Sequence, residues 1–524
     1  PHLMSVVSMA IPVFLKPENG RLGRAFGAWL DQAPAGLASR FVLMWFVIFY
    51  TGFAIVASGA LALHPDLLQT YVLGLHPAAG YAGHAPLAPW LAGAWFRLFP
   101  PTDWAFHLLA MVNAATGLFA ADRIGRLYLN GDKHIAVLLL LLLTPFYQFV
   151  GQGFGAAETM LSTWPLATWC FLRAFATRDF AWSAAAGATG ALAVLGDYYS
   201  LFLIAGLALA VLTHPRRRVF LRSAAPWLAL AAGGIVLAPH AAWLAQRLLE
   251  PQGTQAALDT AAPADPLSHA ALTHAALTVG GVAVMLAVWL LAVRKDRATL
   301  RDILWPSDPD GRMLVIMLAT PLALPALAAP FVGGALLLRW PIAAPWFLVP
   351  VILLRSETAV LTRTAAIRVT ALVAATTIAT LAAAPWLAWH RHAEGTAEGR
   401  EYYRLVGTEV TKAWRLATGQ PLRVVTGDPR LAAAAAFYSP DRPEPVFGAV
   451  PARGYAAICR IDDEACVSTA KQQVAGDTNV EFITYSTMSP YLGKPGRLGR
   501  FFFILVPPPG PKAPAAQIPG LNGR

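Results

Sequence analysis

From Phe41 to Trp389, apolar runs of about 20 residues recur at short intervals, the length an α-helix needs to cross the hydrocarbon core of a bilayer. The Pro, Gly and charged residues that punctuate them predict about 11 spans, near residues 41–63, 103–121, 135–151, 157–173, 181–196, 199–214, 223–243, 270–293, 313–337, 340–354 and 367–389. After residue 390 the pattern changes. Residues 398–418 have the apolar period of an amphipathic helix, and LRVVTG, YAAICR, VEFITY and FFFILV read as short strands rich in β-branched and aromatic residues. With helices at 428–438 and 463–474, these strands predict a small α/β unit over residues 391–506. A Pro/Gly-rich tail at 507–524 reads as extended. The expected architecture is mainly α: a segment at 1–40, a membrane domain at 41–390, the α/β domain and the tail, with no internal repeat.

Composition narrows the class. Residues of the AVILMFWYC set make up 56% of the 524 and charged residues only 13%, against roughly 25% charged in soluble domains. A soluble globular enzyme is excluded, and the chain reads as a polytopic membrane protein. It opens on a polar, amphipathic stretch followed by a full-length span, which calls for no cleaved signal.

Charge then orients the spans, because Lys and Arg in short loops stay cytoplasmic. With the N-terminus inside, the cytoplasmic segments up to residue 390 carry 21 Lys and Arg and the outward loops 3, namely Arg97, Arg247 and Arg339. An odd number of spans places the α/β domain outside, in the periplasm if the membrane is a bacterial inner membrane. The pI of about 9.8 follows from this retained charge. With no basic stripe interleaved with aromatics, nothing points to a nucleic-acid partner.

The first outward loop, 62–103, is too long for a plain connector and too apolar for a solvated one. Segments 66–75 and 86–98 read as helices lying along the membrane surface, with Trp90 and Trp95 suited to the headgroup level. At its start stands one carboxylate, Asp66. Two readings compete: Pro65-Asp66 is an ordinary helix start with the aspartate as cap, or the carboxylate does chemistry. In the outward domain Cys459 and Cys466 lie close together where disulfides persist; the alternative is two free buried thiols. Cys170 falls in an apolar span.

Asp66 followed by GYAGHAPL at residues 80–87 resembles the first outer loop of the C-type glycosyltransferases that use lipid-phosphate sugars. In that family an Asp, usually followed by Glu, precedes a G-Y-x-x-[HK]-P-P-L segment, matched here by Gly80, Tyr81, His84, Pro86 and Leu87. Residues 105–126 resemble the family's second span with its basic end, and Glu158 stands where an acidic residue begins the fourth. GALAVLGDYYSLFLIAGLALAV resembles the fifth and sixth spans, VLAPHAAW the end of the seventh, and LLRWPIAAPWFLVPVILL a late outer-loop Trp-Pro segment. The nearest group is the protein-mannosyltransferase-like one, in particular the bacterial transferases that decorate lipid A and core with aminoarabinose or galacturonic acid. VVTGDPRLAAAAAFYSPDRPEPVF is similar to the outer domain of that branch. Three positions depart from the pattern: Leu67 replaces the Glu, Ala85 the first Pro of the pair, and Asp197 a Lys that often precedes Tyr.

The resemblance implies transfer of a sugar from a polyprenyl phosphate to a hydroxyl of an envelope glycolipid or polysaccharide. That reaction needs a base for the acceptor proton and stabilisation of the leaving phosphate. Asp66 is the expected base, its pKa raised in a partly desolvated pocket, and direct attack would invert the anomeric centre. Arg339 is the expected phosphate ligand, aided by His84 and Tyr81, since guanidinium matches phosphate oxygens bidentately; the competing reading is a snorkelling arginine at a span end. Glu158, Asp197, Tyr198, Tyr199, His240 and Trp340 are expected to contact donor sugar or acceptor. The acids also read as helix caps and the histidines as packed residues. A divalent metal shared by His84 and His240 stays open. Rival functions are a transporter or flippase of a lipid-linked sugar and a noncatalytic envelope assembly protein.

Overall fold

The computed structural model describes residues 20–32, 36–249, 269–294, 297–332, 345–396, 398–448 and 450–508. Each of the eleven predicted segments carries helix among its described residues. Five helices are long and apolar enough to cross a membrane: Leu37–Ala57, Asp103–Tyr128, Ala225–Arg247, Pro309–Ala328 and Arg363–Glu394. Asp132–Leu141 and Pro145–Gln152, bent by 56°, make a sixth if they form one span. Three more apolar helices are shorter, Phe180–Gly196, Ser200–Thr213 and Trp346–Arg355, and Val279–Ala292 belongs to the 24-residue helix His269–Ala292. At about 1.5 Å of rise per residue, a helix of fewer than about 20 residues falls short of a hydrocarbon core of about 30 Å. Among the described residues, five helices, or six with the bent pair, meet the length and composition of a full span.

The chain divides into two compact units. The first comprises 1–52, 78–88 and 108–381; the second comprises 53–77, 89–107 and 382–524. In the first unit, apolar helices approach through small residues, as membrane helices do when no hydrophobic force separates protein from lipid. At Gly187, in Phe180–Gly196, a Cβ would land on the Ala229 carbonyl of Ala225–Leu249, so only glycine admits this approach. The bend before Pro145 frees backbone carbonyls, and side chains take them up: Thr144 Oγ1 donates to Leu141 O at 2.6 Å and Gln148 Nε2 donates to Leu142 O. One end of Asp103–Tyr128 is tied by buried polar groups. Asp122 accepts from Ser39 Oγ at 2.7 Å and from Arg126 Nε at 2.9 Å, with His134 Nε2 3.3 Å away.

The second unit contains the α/β fold. Strands β1 (Val424–Gly427), β2 (Glu444–Pro445), β3 (Tyr455–Arg460), β4 (Glu481–Tyr491) and β5 (Lys494–Val506) form one sheet in the order β2-β1-β3-β5-β4. The β1 strand pairs in parallel with β2 and β3, whereas β5 pairs antiparallel with β3 and β4. Helix Pro429–Tyr438 starts on Asp428, whose Oδ1 accepts the Arg430 and Leu431 N–H groups at 2.8 and 3.3 Å. Tyr455, Ala457 and Cys459 alternate onto the sheet face that buries Ala470 and Val474. A disulfide joins Cys459 of β3 to Cys466 of helix Glu464–Gln473, and Cys170 is a buried free thiol. The paired cysteines are expected to resist alkylation of the folded protein until reductant is added; labelling of both without reductant would contradict the bridge.

Candidate functional site

Asp66 lies in the second unit, on the helix Pro65–Leu75. The residue at the cap is His64, in extended conformation with its ring nitrogen turned to the Asp66 N–H, and Pro65 follows at the first helical position. Asp66 is therefore in the first turn and is not the cap. Its carboxylate is 80% exposed, with Oδ2 3.4 Å from His64 Nδ1, while its carbonyl accepts Thr70 Oγ1 at 2.8 Å. The described residues thus leave this carboxylate largely open rather than desolvated. The same nitrogen stands 3.4 Å from the Asp66 N–H.

The opposite face of this helix is buried within the protein rather than turned to lipid. Leu67 and Leu68 are buried, and Tyr71 meets Phe96 and Phe437 edge to face with centroids 5.2 and 4.9 Å apart. The departure at Leu67 is thus a packing position, and Phe437, from helix Pro429–Tyr438, braces the helix that carries Asp66.

The backbone leading to Asp66 is held by residues that no local pattern marks. Helix Leu37–Ala57 ends just before it, and the last carbonyls of a helix, with those that follow, need donors. Arg391 Nη1 donates to Ala57 O at 3.3 Å, Arg404 to Gly59 O and Leu61 O at 3.2 and 2.7 Å, and Arg400 Nε and Nη2 to Ala62 O at 3.1 and 2.9 Å. The Leu63 N–H donates to Tyr438 OH at 2.9 Å, and that hydroxyl donates to Asp103 Oδ1 at 2.8 Å; Arg404 Nη2 also pairs with Asp103. Burial, then the Asp103 charge, pushes the Tyr438 hydroxyl well above its ordinary value, so it remains a proton donor. Burial pulls the Arg404 value down, but the Asp103 carboxylate together with Tyr438 offsets this and leaves it raised.

A second group of predicted residues assembles in the first unit. His240, on Ala225–Leu249, donates from Nδ1 to Ala79 O at 2.8 Å, and its Nε2 shares a hydrogen bond with the Tyr198 hydroxyl at 2.8 Å. Each ring nitrogen is thereby engaged in a hydrogen bond within the protein. His240 tethers the loop turn; it does not bind freely. Trp243 stacks on His240 at 5.6 Å, and Gly80 lies so close to the Trp243 ring that any Cβ would overlap it. Tyr81 OH accepts the Ala78 N–H at 3.1 Å, and exposed His84 bonds through Nδ1 to Ala82 O at 3.0 Å. Together these contacts shape the Gly80–Leu87 turn.

Asp197 is buried at the turn between two short helices, with Oδ1 accepting the Tyr199 N–H at 2.9 Å, an Asx turn. Tyr198 is 45% exposed and Tyr199 buried. Glu158 sits in the first turn of Ala156–Thr177, its carbonyl accepting Asn113 Nδ2 at 2.8 Å. Arg339 and Trp340 lie outside the described residues. Among the described residues, no group of three or more His, Cys, Asp or Glu could hold a metal.

Residues 83–243 match the family model for dolichyl-phosphate-mannose-protein mannosyltransferase. The match takes in His84, Glu158, Tyr198 and His240 and starts after Asp66. No curated protein sequence matches the chain. The apo crystal structure of ArnT from Cupriavidus metallidurans is similar at a TM-score of 0.56 and 12% identity, over 90% of this chain and 98% of that one. The chain has the ArnT fold. A further ArnT structure, bound to undecaprenyl phosphate, covers 87% of this chain and 98% of its own with 14% identity and a TM-score of 0.43. The ArnT-like fold, and the family match from His84 through the spans that follow, agree with the resemblance carried by those residues.

Proposed function

We propose that the chain is a glycosyltransferase of the bacterial inner membrane. It moves a sugar from a polyprenyl-phosphate donor to an envelope glycolipid or polysaccharide on the periplasmic side. The observation that carries this reading is the family match over residues 83–243, on a chain whose first outer loop brings Asp66 at the head of a braced helix. Asp66 takes the acceptor hydroxyl's proton as the oxygen attacks the anomeric carbon, and the configuration inverts. Polyprenyl phosphate leaves with its own charge and needs no protonating acid. Arg339, with His84 and Tyr81, holds the phosphate; Glu158, Asp197, Tyr198, Tyr199 and Trp340 line the sugar and acceptor, and His240 keeps the loop turn in place. The exposure of the Asp66 carboxylate makes the base depend on bound substrate to exclude water. Envelope glycolipids from a strain lacking the gene are expected to lose one sugar unit by mass spectrometry, and an unchanged profile would contradict the reading.

In the same proposal the N-terminus is cytoplasmic, about 11 segments enter or cross the membrane, and residues 391–506 form a periplasmic domain. A reporter fused after Arg218 should read cytoplasmic and one after Val506 periplasmic. The opposite result at either point would overturn the orientation.

A further inference from the structure

The α/β part of the second unit contains a cavity of about 490 Å³ between the β3 end, β5 and the segment after residue 395. At about 30 Å³ per water this is saccharide size rather than ion size, and it falls in the range of small-molecule pockets. Three guanidinium groups line it, from Arg460, Arg497 and Arg500. Arg460 is committed, with Nε and Nη2 on the two oxygens of Asp462 at 3.0 and 2.7 Å. The Glu401 carboxylate, also on the wall, accepts the Thr396 hydroxyl at 2.8 Å. Arg497 and Arg500 are different. Their side chains are exposed and enter no ion pair with the described residues. Their backbone, by contrast, is pinned: Tyr402 OH donates to Arg497 O at 2.7 Å and the Ile461 N–H to Arg500 O at 3.2 Å. Tyr402 and Phe501, edge to face at 5.5 Å, add an aromatic wall.

Two unpaired guanidinium groups on a fixed strand, beside aromatic rings in a saccharide-sized cavity, suit a sugar that carries a phosphate: the forks match phosphate oxygens and the rings take the apolar face of the sugar. We propose that this cavity binds the phosphorylated sugar head of the acceptor. This rests on the glycosyltransferase reading and assigns acceptor recognition to a site apart from Asp66.

The test uses the full chain in lipid nanodiscs with glucose 1-phosphate as probe and glucose as the neutral control. Glucose 1-phosphate should bind saturably and glucose much more weakly. The double variant Arg497→Gln/Arg500→Gln should weaken sugar-phosphate binding at least about tenfold. Asp462→Asn, which frees the third guanidinium, should tighten binding, a gain that misfolding cannot produce. Parent-like binding by both variants, or equal binding of glucose, would overturn the proposal. In a transfer assay the double variant should raise the acceptor KM and leave the donor KM unchanged; a rise confined to the donor KM would assign the phosphate to the donor and overturn the acceptor claim. If no preparation transfers sugar while the binding pattern holds, the glycosyltransferase reading fails and the site stands. If transfer proceeds with an unchanged acceptor KM, the site fails and that reading stands.

Discussion

Asp66→Asn is expected to abolish measurable sugar transfer, with a loss of about 10²- to 10⁴-fold in rate, the range for removing a general base. Its structural cost should be small. The cap position belongs to His64, the carboxylate is 80% exposed, and the carbonyl bond from Thr70 is untouched by the substitution. What remains is loss of a favourable charge in the first helical turn, on the order of 0.3–1 kcal/mol. The variant should therefore insert, fold and bind donor lipid like the parent. Transfer and melting temperature, measured on one preparation, check this. If the variant keeps more than about a tenth of the activity, a loss below the range for a general base, the base lies elsewhere, with Asp197 and Glu158 the next residues to replace.

Arg404 should give the second largest effect. It joins the carbonyls of Gly59 and Leu61 to Asp103, so it fixes the strand of backbone that ends at Asp66. Arg404→Ala would leave the Asp103 carboxylate, 23% exposed, without its cation, at a cost of roughly 3–5 kcal/mol if it behaves as a buried pair. Arg404→Lys is the informative variant, because it keeps a charge for Asp103 and loses the fork that reaches two carbonyls. It should fold like the parent yet lower kcat by about 10²-fold, as misplacement of a reacting group by about 1 Å does, with both KM values little changed. A parent-like kcat would show that the loop is held without Arg404. Tyr438→Phe, which removes one acceptor and one donor from the same cluster, should follow in direction with a smaller loss.

The reach of the sequence follows from what is local. Helices occupy the apolar segments because twenty apolar residues leave the backbone little alternative in lipid. The strands Val424–Gly427 and Tyr455–Arg460 carry their own β-branched and aromatic signal, as does the Cys459–Cys466 spacing. VEFITY and FFFILV carry it too, but the two-residue strand Glu444–Pro445 and the hairpin end of β4 and β5, Ser486–Arg500, have no such signal and depend on neighbouring strands. The same limit applies at the site. Asp66 stands out as a lone carboxylate, and the adjacent His64 was readable as a partner from the His-Pro-Asp run. Arg391, Arg400, Arg404 and Tyr438 reach back more than 300 residues to the loop start. In sequence they are ordinary members of a well-charged outer domain, and no local period marks a side chain whose partner is a distant carbonyl. His240 shows the converse: its residue type suggested a ligand, and only the two hydrogen bonds that consume its nitrogens reveal a tether.

Transfer is measured most directly by incubating the purified protein with a polyprenyl-phosphate sugar labelled in the sugar and an envelope extract, then quantifying free polyprenyl phosphate and labelled acceptor together. The two products should rise in step with the parent, with the sugar inverted at its anomeric carbon, and neither should rise above background with Asp66→Asn. Movement of intact donor across the membrane with no free polyprenyl phosphate formed would contradict the glycosyltransferase assignment and identify a carrier of lipid-linked sugar instead.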